Sequence, residues 1–199
     1  MAEQTLAHQA AHDPLTGLAN RTLFAVRLTA AWTRRSGRPV RGDVGLLYLD
    51  LNGFKQVNDT YGHDAGDEVL VTTAHRLCAQ VRPGDTVARL GGDEFAVTAP
   101  RITNDGLAAM AARISCALAQ PHFVHGYPVR VPASVGTHLA APAEAAGAAL
   151  RHADQAMYAV KRAHPPEHIS RYQASLPPGR IPAGDEDRHV GSSTTAADN

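Results

Sequence analysis

The sequence is poor in the residues that mark disulfide-stapled, secreted or membrane-embedded proteins. Only two of its 199 residues are cysteines, too few for a disulfide framework and typical of a reducing compartment. No apolar run approaches the roughly 18 residues of a membrane span. The first residues also lack the basic flank and apolar core of a secretory signal. We therefore expect a cytoplasmic chain with no membrane segment.

The chain also lacks net charge, since 19 Lys and Arg balance 19 Asp and Glu. Proteins that bind duplex nucleic acid usually carry a clustered basic surplus, so we predict no duplex binding. A nucleotide substrate needs only a few local positive side chains, so zero net charge does not exclude nucleotide binding. The 44% hydrophobic content is typical of a soluble globular domain. Cys78 and Cys116 fall among apolar positions of helical patterns, which predicts small buried thiols.

Composition divides the chain into a lead-in, one domain and a tail. Residues 1–12 are interpreted as a linker helix or lead-in, and residues 13–175 as the domain. Residues 176–199 have few large apolar side chains and are predicted to be disordered. The eleven histidines show no trustworthy metal-ligand spacing.

Within the domain, the predicted order is helix, strand, helix, hairpin, helix, strands, helix, which indicates an α+β sheet domain. A nearly unbroken apolar run ends at Asp50 and predicts a central strand buried on both faces. A polar segment over residues 52–62 follows it. Further strands are predicted over 86–90, 95–98, 122–125, 129–136 and 169–172, with Pro132 marking an edge or a bulge. The last long helix is predicted from an apolar stripe that includes Val160.

Two aspartates end strand patterns, Asp50 after the buried strand and Asp93 at a Gly-Gly hairpin tip. If those strands are neighbours, the carboxylates converge at one sheet edge and need a compensating cation such as Mg²⁺. Such a pair can hold two ions around a phosphoryl group. Taken singly, Asp50 is more simply a helix cap and Asp93 a turn residue. The motifs described next favour the metal interpretation.

Four segments of the sequence carry a family resemblance. They are DPLTGLANR from Asp13, DLNGFKQVNDTYGHDAGD from Asp50, GGDEF from Gly91 and ADQAMY from Ala153. The pentapeptide alone could be an ordinary hairpin, but four motifs in this order are highly specific. The sequence resembles the GGDEF domains of bacterial diguanylate cyclases over roughly residues 13–172. The resemblance implies a fold like a polymerase palm or nucleotidyl cyclase, with a central antiparallel sheet flanked by helices.

The resemblance implies a role for each motif residue. It assigns metal binding to Asp50, Asp93 and the Leu51 carbonyl, and catalysis to Asp93 and Glu94. It assigns substrate binding to three groups of residues. The turn glycines Gly91 and Gly92 approach the phosphates, Lys55 and Lys161 neutralise the triphosphate, and Asn58 and Asp67 recognise guanine. Arg82 and Asp85 fit the family's RxxD inhibitory motif, which grips the product. For Asp67 alone, a solvated or capping role is the simpler interpretation.

The implied reaction joins two GTP molecules into cyclic di-GMP, a bacterial second messenger, with two Mg²⁺ or Mn²⁺ ions per active site. One domain of this family holds one GTP, so the resemblance implies a catalytic homodimer with product inhibition. The alternative is a weak or inactive domain that acts as a cyclic di-GMP receptor. One position departs from the family: Pro165 stands where a phosphate-binding arginine is expected. Losing one charge-assisted contact costs about 1.5–3 kcal/mol of GTP affinity.

Overall fold

The computed structural model describes residues 10–36, 43–141 and 144–163, without the side chains of residues 33–36. A central antiparallel sheet with helices on both faces confirms the predicted fold class. The elements in chain order are α1 Arg21–Ser36, β1 Asp43–Leu51, α2 Phe54–Tyr61, α3 His63–Gln80, β2 Thr86–Gly91, β3 Glu94–Ile102, α4 Asn104–Leu118, β4 His122–Val124, β5 Tyr127–Val129, β6 Ala133–Leu139 and α5 Ala146–Ala163.

Strand β1 is central in the four-stranded sheet, whose order is β2-β3-β1-β6 with every pair antiparallel. Because side chains alternate along a strand, Leu47 and Leu49 pack into the core with α3 and α4. Leu46 and Tyr48 pack into a second core with α1 and α5. The alternation places Asp50, at the end of β1, on the face that α1 and α5 cover.

Helix α5 approaches strand β6 closely because the strand carries Gly136. A Cβ atom at Gly136 would lie 2.6 Å from the Cα atom of Met157, and still closer to the Met157 nitrogen and the Ala153 carbonyl oxygen. Real Cβ atoms do not pack at such distances, so only glycine allows this contact. The close packing sets the position of the far end of α5, which carries Lys161.

Two predicted strand boundaries and one loop differ from the structure. The predicted strand over 129–136 is two strands, β5 and β6, with Pro132 in the break between them. Proline cannot donate to a ladder, and its carbonyl instead accepts a hydrogen bond from the Asn52 N–H at 2.7 Å. The polar segment after β1 contains helix α2, whose only buried residue is Val57. With one apolar anchor, that helix has no stripe for periodicity to detect.

The prediction of buried cysteines is wrong, because Cys78 and Cys116 are both exposed. Each lies on an amphipathic helix within two residues of a core position, Leu77 in α3 and Ile114 in α4, but its own phase turns it outward. Val160 of α5 is likewise exposed. Among the described helices, none combines the length and the apolar character that a bilayer span requires.

Several predictions lie wholly or partly outside the described residues: residues 1–9 of the lead-in predicted over 1–12, Pro165, the strand over 169–172 and the tail over 176–199.

A cluster of three hydrogen-bonded side chains links strand β6 to helix α5. We call it the β6–α5 triad, and it consists of His138, Glu144 and His152. The Glu144 carboxylate accepts hydrogen bonds from His138 Nε2 at 2.8 Å and from His152 Nδ1 at 2.7 Å. Burial opposes ionisation of Glu144, but the hydrogen bonds from His138, from the Ala141 N–H and from His152 outweigh it and lower its pKa to about 2. Glu144 is therefore the charged centre of the triad.

Candidate active site

Asp50 and Asp93 come together at the end of strand β1. In the β1–β3 register, Asp50 is the partner of Glu94, and the Leu51 N–H donates to the Asp93 carbonyl at 3.3 Å. Burial, and then the negative charge of Asp50, raise the pKa of Asp93. The structure thus brings both predicted carboxylates to one edge of the sheet, which we call the carboxylate edge.

Lys161 supplies a positive charge at the carboxylate edge. Its Nζ atom lies 2.5 Å from Asp50 Oδ1, in an ion pair whose Asp50 side chain is only 12% exposed. The Lys161 charge also acts to lower the pKa of Asp93, although burial and Asp50 outweigh it. The resemblance assigned Lys161 to the triphosphate, and the structure places its ammonium group at the predicted metal-binding carboxylate.

Glu94 lies beside these groups and is held by two side chains that sequence reasoning missed. The Tyr48 hydroxyl is hydrogen-bonded to Glu94, and burial, followed by the Glu94 charge, raises the pKa of Tyr48 to about 12. The tyrosine therefore stays protonated and donates to the carboxylate. Arg21 Nη2 lies 3.6 Å from Glu94 Oε2, and its Nε donates to the Leu90 carbonyl at 3.1 Å. Position 48 reads from sequence only as one more core residue of the strand.

The hairpin turn between β2 and β3 depends on its glycines. Gly91 and Gly92 have φ angles of +145° and +52°, which other residues rarely adopt. A Cβ atom at either position would meet nothing within 4 Å. The turn therefore presents bare backbone to open space, as a phosphate-binding turn requires.

A partly buried ion pair braces this turn from the N-terminal motif. Arg89 donates from Nε to the Gly92 carbonyl at 2.9 Å, and its Nη1 lies 3.1 and 3.2 Å from the two Asp13 carboxylate oxygens. Burial acts to raise the pKa of Asp13, but hydrogen bonds from Thr16 and Arg89 outweigh it and lower the pKa. The Asp13–Thr16 spacing is typical of a side-chain-capped turn, which was the only sequence signal for this brace.

The predicted guanine-binding pair lies at the junction of α2 and α3. The Asn58 Oδ1 atom is buried, with no hydrogen-bond partner among the described residues. Helix α3 carries Gly66 against it, where a Cβ atom would collide with that oxygen. The next residue, Asp67, is exposed and lines an open cleft together with Leu15 and Phe123. The two predicted guanine ligands are thus neighbours, and Gly66 is a third residue that their arrangement needs.

The remaining predicted residues occupy two other places. Lys55 is exposed in the first turn of α2. Arg82 and Asp85 precede β2, at the end opposite the hairpin turn; β2 spans six residues, roughly 20 Å of strand. Arg82 Nε donates to Asp85 Oδ1 at 3.3 Å, and its Nη2 donates to the Pro100 carbonyl at 2.7 Å. The Arg82 side chain keeps 53% of its surface exposed, whereas the Asp85 side chain is buried. The RxxD residues therefore form a separate cluster in which the arginine is the accessible member.

Comparison with known proteins shows which family has this sequence pattern and architecture. The family described as "Diguanylate cyclase, GGDEF domain" matches residues 10–165. The diguanylate cyclase TpbB of Pseudomonas aeruginosa is 42% identical over 161 residues, covering 79% of this chain but 37% of TpbB. The chain therefore spans little more than a third of that relative's length.

Solved structures give the same result. The isolated GGDEF domain of TpbB matches with a TM-score of 0.68 and 38% identity, covering 77% of this chain and 90% of that one. The coiled coil and GGDEF domain of DgcB from Caulobacter crescentus, solved in complex with cyclic di-GMP, matches with a TM-score of 0.75 and 28% identity. That match covers 81% of this chain and 86% of the DgcB chain.

Proposed function

The chain belongs to the GGDEF diguanylate cyclase family, and from that premise we propose that it condenses two GTP molecules into cyclic di-GMP and two pyrophosphates. The observation that carries the proposal is the carboxylate edge, where Asp50, Asp93 and Glu94 meet beside a bare glycine turn. The named activity of TpbB, a longer protein, supports the same reaction.

The donor atoms at the carboxylate edge fit a hard divalent cation. Two carboxylates and a backbone carbonyl are the oxygen ligands that Mg²⁺ and Mn²⁺ prefer. Burial and then the Asp50 charge raise the pKa of Asp93, and a bound cation would offset both effects. We propose that Asp50, Asp93 and the Leu51 carbonyl hold two such ions. When bound, they would offset charge on the phosphoryl oxygens and lower the proton affinity of the attacking hydroxyl.

The side chains of the edge have distinct tasks in the proposed reaction. The 3′-oxygen of each GTP attacks the α-phosphorus of the other. In each attack the bond from that phosphorus to the oxygen bridging to the β-phosphate breaks, and one pyrophosphate leaves. Glu94 accepts the hydroxyl proton, and Tyr48 and Arg21 hold its carboxylate in place. Lys161 releases Asp50 to the cations and turns to the triphosphate, which Lys55 also neutralises.

Guanine selection is assigned to Asn58 and Asp67. The unpartnered Asn58 oxygen can accept a hydrogen bond from a base, and the exposed Asp67 carboxylate is a second acceptor. Guanine offers N–H groups on its Watson–Crick edge, whereas adenine offers a ring acceptor at the matching position. A base that leaves a buried acceptor unpaired binds much more weakly than one that donates to it, so such a site distinguishes strongly between the two bases. We therefore propose that the site takes GTP and rejects ATP.

The proposed reaction needs two chains, because each chain has one carboxylate edge and one guanine pair. Two copies must face each other with their GTP molecules antiparallel, and positioning then supplies much of the acceleration. The rate per chain should therefore rise with protein concentration until the dimer is saturated.

The experiment is incubation of the purified chain with GTP and Mg²⁺, with chromatographic detection of cyclic di-GMP at several protein concentrations. Asp93→Asn should lower turnover by about 100-fold to 1,000-fold, since it removes a charge that the transition state needs. Asp105→Asn, an exposed carboxylate in the first turn of α4, is the matched control and should leave the rate unchanged. Equal rates for the two variants would show that the carboxylate edge takes no part in the reaction.

Product inhibition is proposed at Arg82 and Asp85, a cluster that is separate from the carboxylate edge. Its exposed Arg82 side chain is held by the buried Asp85 carboxylate. Added cyclic di-GMP should slow the wild-type chain and the control Arg27→Ala, an exposed arginine of α1. It should slow Arg82→Ala much less. Equal sensitivity in all three would refute the inhibitory site. A chain that binds cyclic di-GMP but makes none would establish the receptor alternative.

A further inference from the structure

Three metal-binding atoms converge at the β6–α5 triad, on the opposite end of α5 from Lys161. The ligand atoms of His138, Glu144 and His152 all lie within 4.8 Å of one another. His138 Nε2 is 3.0 and 2.8 Å from the two Glu144 oxygens, and His152 Nδ1 is 2.7 Å from Oε1. The triad shares no residue with the carboxylate edge or with the RxxD cluster.

The central ligand of the triad is held by groups outside it. The Glu144 carbonyl accepts a hydrogen bond from Trp32 Nε1 at 2.5 Å, and its Oε2 accepts from the Ala141 N–H at 3.0 Å. The Glu144 side chain is only 10% exposed. His138 belongs to β6, where it pairs with Leu46 of the central strand, and His152 belongs to α5. A strand, a connection and a helix therefore each supply one ligand.

We propose that the β6–α5 triad is a binding site for a divalent transition-metal ion of the zinc class. Two imidazole nitrogens and one carboxylate suit Zn²⁺, Co²⁺ or Ni²⁺, whereas Mg²⁺ prefers oxygen ligands alone. Zinc bonds of about 2.0–2.2 Å separate tetrahedral ligands by roughly 3.4 Å. The two carboxylate–imidazole separations, 2.8 and 2.7 Å, would each widen by about 0.6–0.7 Å. The separation between the two imidazole nitrogens, at most 4.8 Å, would shorten by up to about 1.4 Å. Each imidazole presents its lone pair to the ion by shifting its proton to the other ring nitrogen.

The site is open to an incoming ion on the side of His152. The His152 side chain is 52% exposed and that of His138 is 25% exposed. Three protein ligands leave the fourth tetrahedral position to water. The bound ion would join the end of β6 to the start of α5.

The test is zinc titration of the full chain by calorimetry, after chelator treatment and removal of any affinity tag. Wild-type protein should bind one Zn²⁺ at the triad with micromolar affinity or better, which corresponds to about −8 kcal/mol. Co²⁺ at the same site should give the visible absorption of a tetrahedral complex. Zn²⁺ should also raise the melting temperature.

The variant His152→Ala removes an exposed ligand and should weaken Zn²⁺ binding at least about 100-fold. Glu144→Gln, which keeps the shape and the acceptor of the side chain, should also weaken it. The matched control is His75→Ala, an exposed histidine of α3, which should bind like wild type. Equal zinc affinity in His152→Ala and His75→Ala would overturn the proposal, as would the absence of binding in wild type. Cyclase activity is not the readout, so failure here leaves the proposed function untouched.

Discussion

The packing of α5 on the sheet makes Gly136→Ala the sharpest test of the structure. The added Cβ would sit 2.6 Å from Met157 Cα and closer still to two other backbone atoms of α5. Backbone cannot rotate away as a side chain can, so the helix itself must move. Overpacking of a core contact costs about 1–3 kcal/mol, and we expect the upper half of that range.

A loss of about 2–3 kcal/mol in the free energy of unfolding lowers the melting temperature by roughly 4–12 °C for a chain of this size. The matched control is Gly147→Ala, an exposed position in the first turn of the same helix. There the nearest heavy atom to a new Cβ is an Arg151 guanidinium nitrogen at 3.7 Å. This control should be neutral or should stabilise the protein by about 0.4–1 kcal/mol, because alanine has the better helix propensity.

The measurement is urea and thermal unfolding of the two alanine variants beside wild type. A displaced α5 should also pull Lys161 away from Asp50, so Lys161→Met should cost less in the Gly136→Ala background than in wild type. If Gly136→Ala and Gly147→Ala melt at the same temperature, α5 does not pack against β6 as described.

Two further predictions concern a buried histidine and the partly buried Asp13–Arg89 ion pair. Burial first, and the Arg76 charge second, lower the pKa of His122 from 6.5 to about 4. Between pH 6.5 and 4 the unfolded chain binds a proton at His122 and the folded chain does not. The contribution of neutral His122 to the free energy of unfolding is therefore fully present above pH 6.5 and is lost as the pH falls toward 4. The loss approaches about 3 kcal/mol, so unfolding free energies of wild type and His122→Gln should converge between pH 7.5 and 4.5; parallel pH curves would contradict this. A double-mutant cycle of Asp13→Asn and Arg89→Met, followed by urea unfolding, should give a coupling of about 1–3 kcal/mol; additive losses would show that the ion pair does not brace the turn.

The carboxylate edge was predictable because both of its aspartates stand at strand ends. An apolar run that stops at Asp50 and a glycine pair before Asp93 are local patterns, and antiparallel pairing then brings the two together. Glu94 follows as the next residue of the hairpin. Local apolar patterns likewise located β1, whose apolar residues are buried on both faces of the sheet, and α4, whose apolar residues face one core.

The supports of the edge were not predictable because they join distant parts of the chain. Asp13 and Arg89 are 76 positions apart, and Tyr48 looks like any core residue until Glu94 is placed beside it. The β6–α5 triad was missed for the same reason, since its ligands are spaced by six and eight residues across three backbone conformations. The exposed cysteines show a further limit: a one-residue shift in helical phase decides burial, and Cys78 adjoins a fully buried leucine.

The position of Lys161 has a consequence for synthesis on the ribosome. Strands β1 to β3 can bring Asp50 and Asp93 together once residue 102 has emerged, but the ammonium group that balances them lies 59 positions further along the chain, within the last described helix. A nascent chain therefore lacks the positive partner of Asp50 until α5 docks. Free divalent cations in the surrounding solution would stabilise that intermediate, so folding yield during translation should depend on them.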